Sequence, residues 1–511
     1  MRATGVGAAG AARAAGATGE GGVTGVRSLM RTKPLAAVVG HSALPRVLGA
    51  LDLTLLGIGA IIGTGIFVLT GQAAAAHAGP AVVLSMVIAG VVSGLAALCY
   101  AELASSVPVS GSAYTYGYAT LGELVAWIIG WDLVLEYALG AATVAVGWSA
   151  YVVSLLADLG VYLPARLIAA PGTAVPLPDG TTVTALFNLP AMLVSLAATA
   201  LLVIGIRESA RVNAVIVAIK VGVVIAIIIA GASFVSPELW RPFVPPNEGV
   251  FGVYGWSGVL RGAGVIFFAY IGFDAVSTAA QEARHPQRDM PIGILGSLVV
   301  CTILYVLVSG VMVGLVSYRE LGVAAPMAVA VDAARQQAQG TAWAGVLGVM
   351  PLVVKLGAVA GLSSTIIVQM MAQPRIFMAM AEDGLLPRWA ARVHPRFQTP
   401  HVTTLITGAI VTLASGLTPI NVLGELVSIG TLFAFVVVSL GVIVLRRTRP
   451  DLPRPFRAPG SPWLPALAAL ASLALMAGLP WATWERLLIW MGLGVVIYFT
   501  YGRRHSQLVG R

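Results

Sequence analysis

The sequence contains few charged residues and almost no cysteine. Only 10% of its 511 residues are charged, whereas soluble globular proteins are usually about 25% charged. Both cysteines, Cys99 and Cys301, lie inside apolar runs, which argues against a disulfide framework and a structural zinc site. The six histidines are scattered, and no Walker A, Rossmann or His-Glu-x-x-His motif occurs. These absences give no support to an ATP-driven pump, a nucleotide-binding fold or a metal site.

Apolar residues are abundant instead. They make up 58% of the chain, the mean hydropathy is +0.91, and apolar runs of about 20 residues recur throughout. This pattern predicts an all-α polytopic membrane protein. The net charge of +9 does not indicate a nucleic-acid partner, because the basic residues lie in short gaps between the apolar runs, where membrane topology explains them.

The apolar runs predict twelve spans in one membrane domain over residues 46–503. Residues 1–45 are rich in alanine and glycine and lack the apolar core of a signal peptide. They are interpreted as a disordered cytoplasmic tail or the product of a misassigned start codon, and residues 504–511 as a second cytoplasmic tail. The predicted spans are 53–76, 81–103, 124–155, 190–206, 212–234, 258–278, 292–316, 347–372, 403–416, 422–445, 463–478 and 487–501.

The distribution of basic residues predicts that both termini are cytoplasmic. With the N-terminus inside, 22 of the 30 basic residues fall in cytoplasmic segments and six fall outside, which is the positive-inside pattern. Of the predicted extracellular connections, segment 164–188 is turn-rich. The alanine-rich stretch that begins at Pro326 is predicted to form a short helix over the extracellular mouth of the bundle.

Two of the predicted spans are interrupted by glycine. The first has four glycines between Gly57 and Gly65, and each costs a helix roughly 1 kcal/mol relative to alanine. The sixth has Gly272 in its middle, followed by Asp274 and Ser277. Broken spans at an offset of five cross the membrane in opposite directions, which is typical of an inverted repeat with a substrate site at its interface. Close helix packing through small residues is the alternative explanation.

Six short motifs lie at these breaks, inside the third span and near the ends of other spans. They are Ile62-Gly-Thr-Gly-Ile-Phe67, Pro108-Val-Ser-Gly-Ser-Ala-Tyr-Thr-Tyr116, Trp131-Asp-Leu-Val-Leu-Glu-Tyr137, Phe267-Phe-Ala-Tyr-Ile-Gly-Phe-Asp274, Glu282-Ala-Arg-His-Pro-Gln-Arg-Asp-Met-Pro291 and Glu382-Asp-Gly-Leu-Leu-Pro387. Together they resemble the amino acid–polyamine–organocation superfamily, and in particular bacterial members of its cationic amino acid transporter family.

The resemblance extends from about residue 51 to the end of the twelfth span. It implies the LeuT-type 5+5 inverted-repeat fold, with repeats over about 51–235 and 256–447 and two additional C-terminal helices over about 462–502. It also implies proton-coupled uptake or exchange of amino acids across the plasma (inner) membrane.

The resemblance assigns an amino acid site to the two breaks. A helix split inside a membrane exposes free N–H groups on one side and free carbonyls on the other, which suit a carboxylate and an ammonium respectively. The assigned groups are the Ile61 carbonyl, the N–H groups of Gly63, Thr64 and Gly65, the Thr64 hydroxyl, and the Phe268 and Ile271 carbonyls. Phe268 is also predicted to close over the ligand as a gate, with a packing role as the alternative.

Two charged residues inside spans are candidates for proton coupling. Lys220 lies near the centre of the fifth span, where a charge is expensive and marks function by default. The resemblance places it where sodium-coupled relatives hold sodium, in contact with first-span carbonyls and with Ser363 or Ser364; a fixed tether between helices is the alternative. Glu136, one helical turn from Asp132, is predicted to sense the proton or attract a cationic substrate, or else to bond a neighbouring helix.

Asp274 and Glu282 follow the second break. They are interpreted as residues that cap the helix or form gating pairs with cytoplasmic arginines.

The combined prediction is a secondary active transporter that moves L-amino acids, with neutral ones favoured. A transporter of arginine and lysine, or an amino acid sensor that does not transport, are the alternatives. No convincing catalytic constellation was found at either membrane face, so an enzyme is not predicted. The expected partners are the amino acid and the lipid bilayer, without nucleic acid. No cofactor or sodium site is expected, since the proton is the coupling ion.

Overall fold

The protein is almost entirely helical along the part of the chain that the structure describes. The structure is a computed structural model that describes residues 32, 46–107, 112–177, 180–205 and 210–507. The predicted N-terminal tail therefore lies outside the described residues except for Thr32. Arg207, the last four residues of the chain and the first four residues of the motif that begins at Pro108 also lie outside them.

The first half of the described chain contains eight helices, and each predicted span of this half coincides with one or two of them. The helices are α1 (Ala50–Ile61), α2 (the consecutive segments Gly65–Leu69, Thr70–Ala73 and Ala74–Ala78), α3 (Val82–Ser106), α4 (Ser112–Thr120), α5 (Glu123–Val134), α6 (Gly140–Asp158), α7 (Leu189–Ile204) and α8 (Ala210–Ala232). A π-helical turn, Leu135–Leu139, joins α5 to α6, and a 3-10 turn, Gly79–Ala81, joins α2 to α3.

The second half repeats the pattern of long helices with one interruption. Its helices are α9 (Gly255–Ile266), α10 (Pro286–Leu315), α11 (Pro326–Gln337), α12 (Ala344–Glu382), α13 (His401–Leu417), α14 (Ile420–Thr448), α15 (Trp463–Gly478) and α16 (Trp481–Ile497). After α9 the chain continues as two 3-10 segments, Phe267–Tyr270 and Asp274–Glu282.

The helices are long and apolar enough for a multi-pass membrane protein. Eight helical stretches of the described chain satisfy the length and hydropathy of a membrane span. Four further apolar helices are shorter, namely Ala50–Ile61, Leu189–Ile204, His401–Leu417 and Trp463–Gly478.

Two connections have structure of their own. The turn-rich segment 164–188 contains an antiparallel hairpin of β1 (Ala174–Pro176) and β2 (Thr182–Thr184). The helix predicted to begin at Pro326 is confirmed as α11, and it packs on α2. Their contact is close, because a Cβ at Gly71 would overlap the Pro326 ring.

The two breaks lie at the centre of the helix bundle. Helix α10 packs against α1 and α3, α12 packs against α6 and α8, and α8 also packs against α1. Small residues permit these close approaches; for example, a Cβ at Gly57 would lie 2.6 Å from the Ser297 Cβ. The bundle therefore encloses the broken helices on several sides.

Candidate functional site

The first helix is interrupted where the glycine-rich sequence predicts. Helix α1 ends at Ile61, Ile62 is extended (φ −72°, ψ 99°), and α2 begins at Gly65. The first backbone bond across the new turn runs from the Phe67 N–H to the Gly63 carbonyl at 3.4 Å. Among the described residues, no backbone carbonyl accepts from the N–H groups of Gly63, Thr64 or Gly65, as expected at a helix N-terminus.

The Thr64 side chain is the strongest sign of a ligand at this break. The residue is completely buried, yet its hydroxyl has no hydrogen-bond partner in the described part of the protein. A buried hydroxyl left unpaired costs about 1–3 kcal/mol. The hydroxyl and the three free N–H groups together offer hydrogen-bond donors to an anionic group.

The second interruption lies directly against the first. After the 3-10 turn Phe267–Tyr270, Ile271 is extended and Gly272 has φ +113°. A Cβ at Gly272 would lie 2.9 Å from the carbonyl carbon and oxygen of Ala60, and a Cβ at Gly65 would overlap the backbone of Ala269. Only glycine tolerates both this backbone conformation and this proximity. The breaks are therefore in backbone contact.

The carbonyls predicted to bind an ammonium differ in whether they already accept a hydrogen bond. The Ile271 carbonyl accepts no backbone hydrogen bond from another described residue, and the Phe268 carbonyl accepts one, from the Ile271 N–H at 3.2 Å. The Ile61 carbonyl accepts a 2.8 Å bond from the Tyr305 hydroxyl. Tyr305 was not singled out in the sequence, although it is a polar group within an apolar span. The Phe268 side chain is 4% exposed, and its gating role stays a prediction.

Lys220 connects the first break to two other helices. It is completely buried on α8, and its ammonium donates to the Gly59 carbonyl at 2.8 Å, the Ile62 carbonyl at 3.0 Å and the Thr365 hydroxyl at 2.8 Å. The contact with first-span carbonyls agrees with the prediction. The expected α12 partner was wrong, because Thr365, and not Ser363 or Ser364, faces α8.

The two serines have other partners. Ser363 accepts a 2.8 Å bond from the Trp148 indole N–H, and Ser364 donates to the Gly361 carbonyl at 3.1 Å. Consecutive residues on a helix point in directions about 100° apart. The run of three hydroxyl residues in α12 therefore places only one of them toward Lys220.

Glu136 lies in the π-helical turn between α5 and α6 and is 1% exposed. Its carboxyl faces that of Asp274, to which the Tyr137 hydroxyl donates a 3.2 Å bond. Asp132, one turn earlier, is equally buried, and neither of its carboxyl oxygens has a hydrogen-bond partner among the described residues. Glu136, Asp274 and Asp132 thus form a buried acidic cluster beside the second break.

Asp274 is the first residue of the 3-10 segment Asp274–Glu282, which agrees with the interpretation as a cap. It forms no salt bridge with an arginine within the described residues. Asp274 is completely buried and bonds Tyr137. Glu282 forms no side-chain salt bridge within the described ranges, and its carbonyl accepts from the Leu48 N–H at 3.0 Å.

A separate charged network ties α3 to α14 and was missed in the sequence. Glu102 is 2% exposed and accepts from the Arg446 guanidinium at 2.8 and 2.5 Å and from the Ala458 N–H at 2.8 Å. Arg454 lies 3.6 Å from the same carboxylate. The sequence carried only a weak signal, a glutamate at the end of an apolar run.

The bundle and its center define a class of protein. Long apolar helices surround two broken helices whose free N–H and carbonyl groups meet beside a buried lysine, which is the arrangement of a membrane transporter. The family model for amino acid permeases matches residues 48–499. The chain belongs to the amino acid permease family, and the predicted superfamily is confirmed.

Relatives with known names support this assignment. The chain is 49% identical over 475 residues to a branched-chain amino acid permease of Bacillus subtilis (strain 168), covering 93% of this chain and 97% of that protein. It is 44% identical over 484 residues to a methylthioribose transporter of the same organism, covering 94% and 99%. It is 38% identical over 434 residues to the vacuolar cationic amino acid transporter 4 of Arabidopsis thaliana, covering 83% and 68%.

Proposed function

We propose that this protein is a secondary active transporter that moves L-amino acids across the plasma membrane, coupled to protons. The observation that carries the proposal is the contact between the two breaks. The unpaired Thr64 hydroxyl and the N–H groups of residues 63–65 lie on one side, and the Ile271 carbonyl lies on the other. Donors suit the α-carboxylate, and acceptors suit the α-ammonium.

The LeuT-type architecture is part of the same proposal. Its twelve spans would consist of the paired halves α1–α2 and α5–α6, together with α3, α7, α8, α9, α10, α12, α13, α14, α15 and α16. The interruptions of the first and sixth spans support two inverted five-span repeats followed by two extra helices. The excess of basic residues in alternate connections supports cytoplasmic termini.

Lys220 supports coupling to protons. Its ammonium binds two carbonyls of the broken first helix, so that movement of α1 would expose the lysine or change its partners. Burial disfavours a charged lysine unless its hydrogen bonds are satisfied. Loss of the proton would therefore weaken the link between α1 and α8. We expect no sodium and no cofactor in this cycle.

Neutral amino acids are the proposed substrates. The Lys220 ammonium beside the break disfavours a second cation. The carboxyl of Glu136, which was a candidate for attracting a cationic substrate, faces Asp274 instead. The name of the branched-chain amino acid permease makes leucine, isoleucine and valine the first candidates, with alanine also to be tested. The methylthioribose transporter shows that similarity of this degree extends to another substrate. Arginine and lysine transport, or amino acid sensing, are the alternatives.

Counterflow in proteoliposomes tests the proposal. Vesicles loaded with unlabelled leucine, isoleucine, valine, alanine, arginine or methylthioribose are diluted into the labelled compound, and transient accumulation is measured. We expect accumulation with neutral amino acids. Binding without accumulation of any compound would identify a sensor, and accumulation of arginine alone would identify a cationic transporter.

The coupling ion is tested with two lysine variants. Lys220→Met should abolish the stimulation of uptake by an inside-alkaline pH gradient, because the proposed proton carrier is removed. Lys355→Met is the matched control, since Lys355 is also buried but pairs with Asp158 at 2.5 Å. A full response to the gradient in Lys220→Met would contradict the proton role.

A further inference from the structure

One face of α12 carries polar side chains that continue from the proposed site. Thr365, which binds Lys220, is followed by Gln369 and Gln373 at intervals of four residues, so that the three lie on the same face of the helix. They are 2%, 9% and 0% exposed. Burial of two glutamines in an apolar helix is expensive and calls for a physical explanation.

Three of the four polar atoms in these two amide groups lack partners in the described part of the protein. Neither the nitrogen nor the oxygen of the Gln373 amide forms a hydrogen bond, and the Gln369 oxygen is also unpaired. The next residue, Pro374, has no N–H to donate to the Met370 carbonyl. A leucine at either glutamine position would avoid these costs, so packing alone does not explain the amides.

The register of α12 against the third span locates Gln373. A Cβ at Gly140 would lie 2.8 Å from the Gln369 oxygen, and a Cβ at Gly130 would lie 2.7 Å from the Met380 sulfur. The two helices are therefore antiparallel. Gln373 falls between these contacts, at the level of the π-helical turn Leu135–Leu139.

That turn supplies further unpaired polar groups at the same level. One carboxyl oxygen of Glu136 and one of Asp274 have no hydrogen-bond partner among the described residues. Polar groups that find no partner inside a protein are paired by water or by a solute. The glutamine face thus extends a hydrogen-bonding surface from Thr365 toward the C-terminal end of α12. Arg375 lies near this end, and Arg388 follows in the next 3-10 turn.

We propose that Gln369 and Gln373 line the path by which the bound amino acid leaves its site toward this arginine-rich end, the predicted cytoplasmic side. The inference rests on the proposed transport function. When this face becomes accessible from that side, the amides offer hydrogen bonds to the carboxylate and ammonium of the zwitterion in place of lost water.

Gln373→Leu tests the inference in reconstituted protein. Binding of leucine to detergent-purified protein should change less than about twofold, because Gln373 lies two turns from Thr365. The counterflow rate should fall about threefold to tenfold, as expected when one or two neutral hydrogen bonds are lost along the path. Thermal stability should be kept or increased, since a buried unpaired amide is removed.

Gln336→Leu is the control, because Gln336 is exposed on α11, and it should keep the wild-type rate. An unchanged counterflow rate in Gln373→Leu would overturn the inference. A loss of affinity as large as the loss of rate would also overturn it, because that result would place Gln373 in the binding site itself. A wild-type protein that binds leucine without counterflow would instead overturn the proposed transport function.

Discussion

Gly65 offers a direct test of the contact between the two breaks. The Gly65→Ala variant adds one methyl group at a position where it would overlap the Ala269 Cα and Cβ and lie 2.9 Å from the Ala269 nitrogen. Carbon atoms pack best at about 3.5–4.0 Å. Because the obstacle includes backbone and not only a flexible side chain, the two breaks must move apart by roughly 1 Å or more to accept the methyl group.

The expected loss of affinity follows from the groups that this movement displaces. The Thr64 and Gly65 N–H groups are proposed to bind the substrate carboxylate, and a hydrogen bond to a charged group is worth about 1.5–3 kcal/mol. Loss of both would cost about 3–6 kcal/mol. At 1.4 kcal/mol per tenfold, this corresponds to a weakening on the order of 10²- to 10⁴-fold. The loss should be similar for every amino acid substrate, because all share the α-carboxylate.

Isothermal titration calorimetry with leucine, valine and alanine measures this loss, and a thermal melt of each variant checks folding. Gly222→Ala is the matched control. Gly222 is a helical glycine two residues from Lys220, and a Cβ there meets no atom within 4 Å, so binding should be unchanged. An affinity of folded Gly65→Ala within about threefold of wild type would refute the assignment of the carboxylate to these N–H groups.

Two further predictions concern contacts that were found only in the structure. Tyr305→Phe removes the 2.8 Å bond to the Ile61 carbonyl and should weaken leucine binding about twofold to tenfold. The control is Tyr162→Phe, at a residue that is 74% exposed. Unchanged affinity in Tyr305→Phe would show that this bond does not orient the carbonyl. Glu102→Gln leaves the Arg446 guanidinium without its carboxylate and should destabilise the fold by about 3 kcal/mol. Its melting temperature should be lower than that of Glu485→Gln, a variant at an exposed residue. Equal melting temperatures would count against a stabilising role of the network between α3 and α14.

The positions of the helices were largely predictable from the sequence. The run 463–478 coincides with α15, and 403–416 differs from α13 by two residues at one end and one at the other. Such agreement arises because apolar length and turn residues act locally. The prediction was less accurate where a helix extends beyond its apolar run. Helix α12 continues ten residues past position 372, through Gln373 and Arg375, because an amphipathic turn can remain helical outside an apolar run.

The location of the breaks was also predictable, for a local reason. Clustered glycines weaken a helix whatever surrounds it, and both Gly63–Gly65 and Gly272 lie where the helices are interrupted. Their contact was expected from the offset of five spans. Its closeness, with a Cβ at Gly272 only 2.9 Å from the Ala60 carbonyl, is a property of the folded bundle.

The amino-acid sequence by itself thus determined an apolar helical chain, the places where two helices break, and a buried lysine that needs partners. Only the tertiary structure decided that Thr365 is one of those partners, that Tyr305 holds the Ile61 carbonyl, and that Asp274 faces Glu136. These pairs join residues more than 130 positions apart. Their contacts depend on the rotation of each helix about its axis and on its register against its neighbours. Long-range packing determines both, and the local sequence does not.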